Sequence, residues 1–146
     1  KDGIKKDMGV ICENGIVGKI VNVSENYSSV ISMLHPYSVV SARFKENQHL
    51  ANVSWETLDY RFGIVKDIPL HLSLKKGDTL VTSGFSNIYP ANIMIGTIEE
   101  MLESESKDFN TAKLRFSTNF SILRHVYIIE NIHQTEIDSL ITNQHE

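Results

Sequence analysis

The 146-residue chain reads as all-β: two small antiparallel β-barrels packed together, in the manner of the trypsin-like fold but without a catalytic triad. Three observations predict this. Short runs rich in β-branched and aromatic residues follow one another, with turn residues between them. Leu58 to Ile64 and Ala112 to Phe116 alternate apolar with polar residues, the period of a half-buried strand. Asn14 to Leu34 and Asn92 to Phe116 share one plan: a strand with an internal glycine (Gly18, Gly96), a polar turn, a second strand. Two related hairpins imply two similar modules. A barrel pairs its own strand edges, which suits many short strands.

Taken in order, residues 1–8 are charged and lack periodicity, as expected of the frayed end of an upstream helix. Gly9 to Cys12 is a short apolar strand. Glu13-Asn14-Gly15 carries the strongest short hairpin signal, and Ile16 to Val23 returns. Val30 to Leu34 and Ser38 to Phe44 follow, divided by His35-Pro36-Tyr37. Leu50 to Trp55 and Leu58 to Ile64 are the next strands, and residues 66–76 form an irregular connector around Pro69. The first barrel is thus expected over 9–76, with room for strands from late in the chain to complete it. The second is expected over 77–131. It contains an acidic loop from Glu99 to Asp108, the alternating run Ala112 to Phe116 and a last apolar strand, Val126 to Ile129. Residues 132–146 read as a C-terminal tail, with one amphipathic turn at Ile137, Leu140 and Ile141.

The chain is organised around residues 77–101. Gly77-Asp78 is a turn, Thr79 to Ser83 a strand, Gly84 a break, and Ile93 to Ile98 a strand interrupted by Gly96. Phe85, Ile88, Tyr89 and Pro90 fall in the loop between them. They either plug a barrel end or form an apolar patch that favours partner binding, which Tyr27 and Tyr37 would extend.

Composition excludes several classes. The net charge is −4 with 22% charged residues and no basic cluster, which argues against nucleic acid. No apolar run of about 18 residues is present to span a membrane. The chain opens on Lys1 without an initiator Met and reads as an excised soluble fragment. The single cysteine, Cys12, beside Val10 and Ile11, reads as a small buried hydrophobe. His35 or His49, Asp59 or Asp67, then Ser83 follow the order of a serine-protease triad, but no glycine-flanked nucleophile loop accompanies Ser83. The six histidines (His35, His49, His71, His125, His133, His145) lack metal-ligand spacing. The acidic loop lacks the ligand alternation and central glycine of a calcium loop. The Asn-x-Ser sequons at Asn22, Asn26, Asn52 and Asn119 fit chance in an Asn- and Ser-rich chain. No cofactor is expected. A hydrolase and a ligand-binding small barrel stand as alternatives to a non-catalytic scaffold.

Several motifs resemble the bacterial rod-shape-determining MreC family: Gly15-Ile16-Val17-Gly18-Lys19-Ile20, Gly77-Asp78, Val81-Thr82-Ser83-Gly84, Tyr89-Pro90 and Ile95-Gly96-Thr97-Ile98. Trp55, Asp59, Arg61, Ile68-Pro69 and His71 resemble the intermediate region of one Gram-negative branch, where His71 would order the connector. The resemblance covers roughly residues 9–130. Family members often carry glycine where this chain has Asn92, and Asn tolerates the left-handed region. The resemblance implies two packed barrels on the periplasmic side of the inner membrane, preceded in the full-length protein by an N-terminal membrane helix and then a coiled coil. It implies an adaptor of the cell-elongation complex that self-associates as a homodimer or filament. Its implied partners are a class B penicillin-binding transpeptidase, MreD, MreB and RodA.

Overall fold

The computed structural model describes residues 4, 7–35, 38–85, 88–103, 107–123 and 125–129. These contain ten strands and no helix: β1 (Gly9–Cys12), β2 (Gly15–Val23), β3 (Ser28–Ser32), β4 (Val39–Phe44), β5 (Leu50–Ser54), β6 (Phe62–Pro69), β7 (Thr79–Thr82), β8 (Met94–Leu102), β9 (Phe109–Phe116) and β10 (Tyr127–Ile129). The all-β expectation is met. Six strands close a barrel in the order β4-β5-β6-β9-β8-β7, and four form a sheet in the order β10-β1-β2-β3. Every pairing is antiparallel.

The barrel follows from the size pattern of its inward residues. Phe44 faces Leu80 across the closing seam of β4 and β7. Gly96 lies opposite both Leu80 and Phe116, and Gly63 opposite Leu114. A Cβ on Gly63 would come within 2.7 Å of the Phe116 ring, and one on Gly96 would overlap the Arg115 carbonyl. Ala42, Ala51 and Ala112 supply further small positions beside Val53, Val65, Ile98 and Leu114. Large side chains thereby fill the interior, each contributing about 1.5–3 kcal/mol by burial.

The expected boundary at residue 76 does not coincide with the division between sheets. β4, β5 and β6 close one barrel with β7, β8 and β9, because Phe44 and Ala42 pair with Leu80 and Thr82. The second module is a four-stranded sheet, open at β3 and β10 among the described residues, and β10 from late in the chain completes it against β1. Of the expected helical end, the described Ile4 and Met8 pack on Val10, Val17 and Ile20, while Asp7 N–H donates to the Ile20 carbonyl at 2.8 Å. The tail from 132 lies outside the described residues.

Three local expectations are corrected. Leu58 is fully exposed at 100%, and β6 begins only at Phe62. Thr57 Oγ1 donates to the Asp59 and Phe62 carbonyls, and Asp59 Oδ1 accepts from the Arg61 N–H, so side chains build a turn where alternation predicted a strand. β6 then runs to Pro69, into the expected connector, through a register shift where Asp67 adopts φ 64° and accepts 2.7 Å from Asn52 Nδ2. The acidic loop is partly strand, since β8 extends to Leu102 and Glu100 faces Lys113 on β9.

Candidate functional site

The loop joining β7 to β8 is held at its base by the residues the sequence singles out. Thr82 Oγ1 donates to the Pro90 carbonyl at 2.6 Å and accepts from the Ile93 N–H at 2.9 Å. Its backbone carbonyl accepts from the Asn92 N–H. The Ser83 hydroxyl lies 2.8 Å from that of Ser41 and accepts from the Phe85 N–H. Gly84 takes φ 85°, and its Cβ would strike Ala91 at 2.8 Å. Asn92 adopts φ 73°, the left-handed conformation expected of it. Gly77 (φ 96°) and Asp78 close the turn before β7. Asp78 Oδ2 accepts from the Lys75 N–H, and the Asp78 carbonyl accepts from Ile98. The Ser83 hydroxyl therefore locks a loop, and its partners are Ser41 and Phe85, neither an imidazole nor a carboxylate.

Tyr89 is the pin of the molecule. It is 3% exposed, and its hydroxyl donates to the Gly18 carbonyl on β2 at 2.5 Å. Burial pushes its phenol well above the usual range. The ring fills the space left by Gly9, whose Cβ would lie 2.7 Å from it. Gly18 passes so close to Ile31 of β3 that a Cβ would overlap its carbonyl. Gly15 approaches Ser117 and the Met94 carbonyl in the same way, and Thr118 Oγ1 donates to the Ile16 carbonyl at 2.7 Å. Cys12, half-buried, directs its thiol toward Thr118. These contacts dock the sheet on the barrel. Tyr89 thus belongs to the interior and is corrected as a surface residue. Gly9 and Thr118 escaped the sequence reading, because their partners Tyr89 and Ile16 lie far away along the chain.

The rest of the loop is divided. Phe85 is 74% exposed at its outer side, while Ile88 and Pro90 are half-buried. Beneath Ile88 and Tyr89 runs a groove of about 250 Å³ whose walls include Ile31, Met33, Val39 and Lys19. Val39, in its wall, is exposed, as is Val30 on β3. Tyr27 is exposed at its turn, and Tyr37 lies outside the described residues.

Other candidate chemistry resolves into structure. The His71 ring stands edge-on to His49 at 5.5 Å, joining the connector to the β4–β5 turn. Among the described residues no group of three or more His, Cys, Asp or Glu could hold a metal. The bidentate Arg61 guanidinium, 2.7 Å away at its closest, depresses the Asp59 carboxyl to about 2. Lys66, 2.6 Å from Glu56, lowers that carboxyl below its ordinary value, with Ser54 assisting.

Taken together, a closed six-stranded barrel, a four-stranded sheet docked on it through Tyr89 and Thr118, and a groove at their junction define a two-module β protein. The chain belongs to the MreC family: the model for the barrel core of rod shape-determining protein MreC matches residues 1–130. It is 29% identical over 133 residues to the cell shape-determining protein MreC of Listeria monocytogenes, covering 88% of this chain and 45% of that protein. It is 24% identical over 131 residues to that of Haemophilus influenzae, covering 88% and 36%. The chain thus spans less than half the length of these relatives. Among solved structures, the Listeria MreC superimposes with a TM-score of 0.81 at 28% identity, covering 89% of this chain and 63% of that one. An MreC in complex with the penicillin-binding protein PBP2 from Helicobacter pylori superimposes at 0.69 and 20% identity, covering 86% and 80%.

Proposed function

We propose that this chain is a non-catalytic scaffold of the bacterial cell-elongation complex that binds and activates a class B penicillin-binding transpeptidase and self-associates. The observations that carry it are the exposed Phe85 of the β7–β8 loop and the apolar groove lined by Ile88 and Tyr89 of that same loop. Such a surface binds without reorganising and leaves association energy for the partner. Membership of a cell-shape family, the Helicobacter complex with PBP2, and solved relatives described as cell shape-determining filaments support the reading. Activation requires only that one transpeptidase conformation contact this surface better than another, by about 1–3 kcal/mol. The domain works on the periplasmic side of the inner membrane, tethered by an N-terminal helix in the full-length protein, with MreD, MreB and RodA as further members of the assembly.

The test is capture of the native transpeptidase ectodomain by the purified chain and by Phe85→Asp. Capture by the wild type and its loss in the variant, with unchanged unfolding, supports the surface. Equal capture by both removes Phe85 from the interface, and no capture by the wild type overturns the partner. Tyr89→Asp is unsuitable for this purpose, since it would break the junction itself. A serine-directed covalent probe should leave the chain unlabelled; labelling abolished by Ser83→Ala would restore the hydrolase reading.

A further inference from the structure

On the wall of the barrel, Phe62 points outward yet is only 7% exposed. Three cations cover it: the Lys113 ammonium at 4.1 Å from the ring centre and the guanidinium carbons of Arg115 at 4.9 Å and Arg61 at 5.2 Å. Cation–π attraction and the burial of aliphatic stems hold these side chains against the ring. Beside them opens a cleft of about 230 Å³, whose lining includes Tyr60, Arg61, Arg115, Ser117, Asn119 and Ser121.

The chemistry of this lining is specific. Arg61 gives its Nε and Nη2 to Asp59, and Arg115 gives its Nε to Glu99 at 3.3 Å. Among the described residues this leaves Nη1 of Arg61 and both Nη atoms of Arg115 as oriented donors, each fork already aimed by a carboxylate and an aromatic face. The hydroxyls have the opposite role. Ser117 donates to the Ile95 carbonyl and Ser121 to Asn119 Oδ1 at 2.6 Å, so each hydroxyl has committed its proton and its oxygen is left to accept. Asn119, its oxygen engaged, has Nδ2 left to donate. Tyr60, 46% exposed, supplies an aromatic wall. Lys76, on Glu99 at 3.8 Å, adds a further cation. Arg61, Lys76, Lys113 and Arg115 gather here with Asp59, Glu99 and Glu100, one cation in excess on a chain of net charge −4.

We propose that this cleft binds a small, hydroxyl-bearing oxyanion, a sugar-sized molecule carrying a carboxylate or phosphate. The arginine forks take the oxyanion, the serine oxygens accept from ligand hydroxyls, and Tyr60 packs against the ring. The volume lies below the usual 300–1,000 Å³ of drug-sized sites, which fits a single sugar.

Amide and arginine side-chain NMR titrations of the chain with glucuronate, glucose 6-phosphate, glucose and inorganic phosphate test this. Saturable shifts confined to residues 60–62 and 115–121 are expected with both charged sugars, weaker ones with phosphate, and none with glucose. Arg61→Gln with Arg115→Gln should weaken binding by at least about tenfold, the equivalent of one charge-assisted hydrogen bond. Arg115→Lys, which keeps the charge but loses the fork, should retain the fold and bind with intermediate affinity. Absence of saturation with both charged sugars, equal binding of glucose, or unchanged affinity in the folded double variant overturns the proposal. So does a response to an acidic peptide alone, which would make the cleft a protein-docking surface.

Discussion

The barrel and the sheet are built from the same materials and resolve the same difficulty differently. Both are antiparallel, both use short strands, and both rely on glycine where chains pass closely. In the barrel the last strand pairs with the first, so every edge is satisfied and side chains of alternating size fill the inside. The sheet ends at β3 and β10 among the described residues, and its buried side depends on the barrel through Tyr89, Gly9 and Thr118. Closure makes one module self-sufficient, and lack of closure makes the other dependent on docking. The groove lies where they meet, lined by Gly18, Lys19 and Ile31 of the sheet and by Val39, Val40 and Tyr89 of the barrel side.

The largest effect should come from the barrel interior. Phe44→Ala is expected to cost about 3–5 kcal/mol in urea or thermal unfolding. Sheet signals should be lost together with barrel signals, because Ile16 and Met33 of the sheet module belong to the barrel's core cluster. A sheet that survives barrel unfolding would break the comparison. Next, Tyr89→Phe removes the hydroxyl and leaves the Gly18 carbonyl unpartnered, at about 1–3 kcal/mol. Hydrogen exchange should quicken in β1, β2 and β3 while barrel amides hold; uniform acceleration would mean that the modules open as one. Gly77→Ala should cost roughly 1–2 kcal/mol, since nothing lies within 4 Å of its Cβ and only the left-handed backbone opposes it. Its effect belongs to the barrel, and exchange in the sheet should not move.

The smallest effect concerns the surface turn before β6. Asp59 is depressed to about 2 by Arg61 in the folded chain, against 3.8 ordinarily, so the folded state binds fewer protons through this pH range. Its stabilisation is present above the ordinary carboxylate value and disappears as pH falls toward 2. The difference in unfolding midpoint between wild type and Asp59→Asn should therefore shrink across that window. A constant difference down to pH 2 would show that the carboxylate acts by shape alone.

Local chemistry was legible wherever one residue decides its own conformation. Gly77, Gly84 and Asn92 announced a backbone of positive φ, and Thr82-Ser83 a strand end that proved to be a loop anchor. The turn at Thr57 and Asp59 was misread because an alternating pattern is indifferent to whether side chains bond back to the main chain. The cleft under Arg61 and Arg115 was invisible for a different reason. Its two arginines, distant in sequence, meet only because Phe62 pairs with Arg115 across β6 and β9.

The residues themselves determined the β class, most strand positions, the turn chemistry and the family motifs, since period, propensity and glycine placement act over a few neighbours. Only the tertiary structure decided which strands share a sheet, that Tyr89 faces inward to pin two modules, and that β10 returns to β1. Those outcomes depend on contacts between distant segments, and a linear pattern holds no measure of how two such surfaces fit.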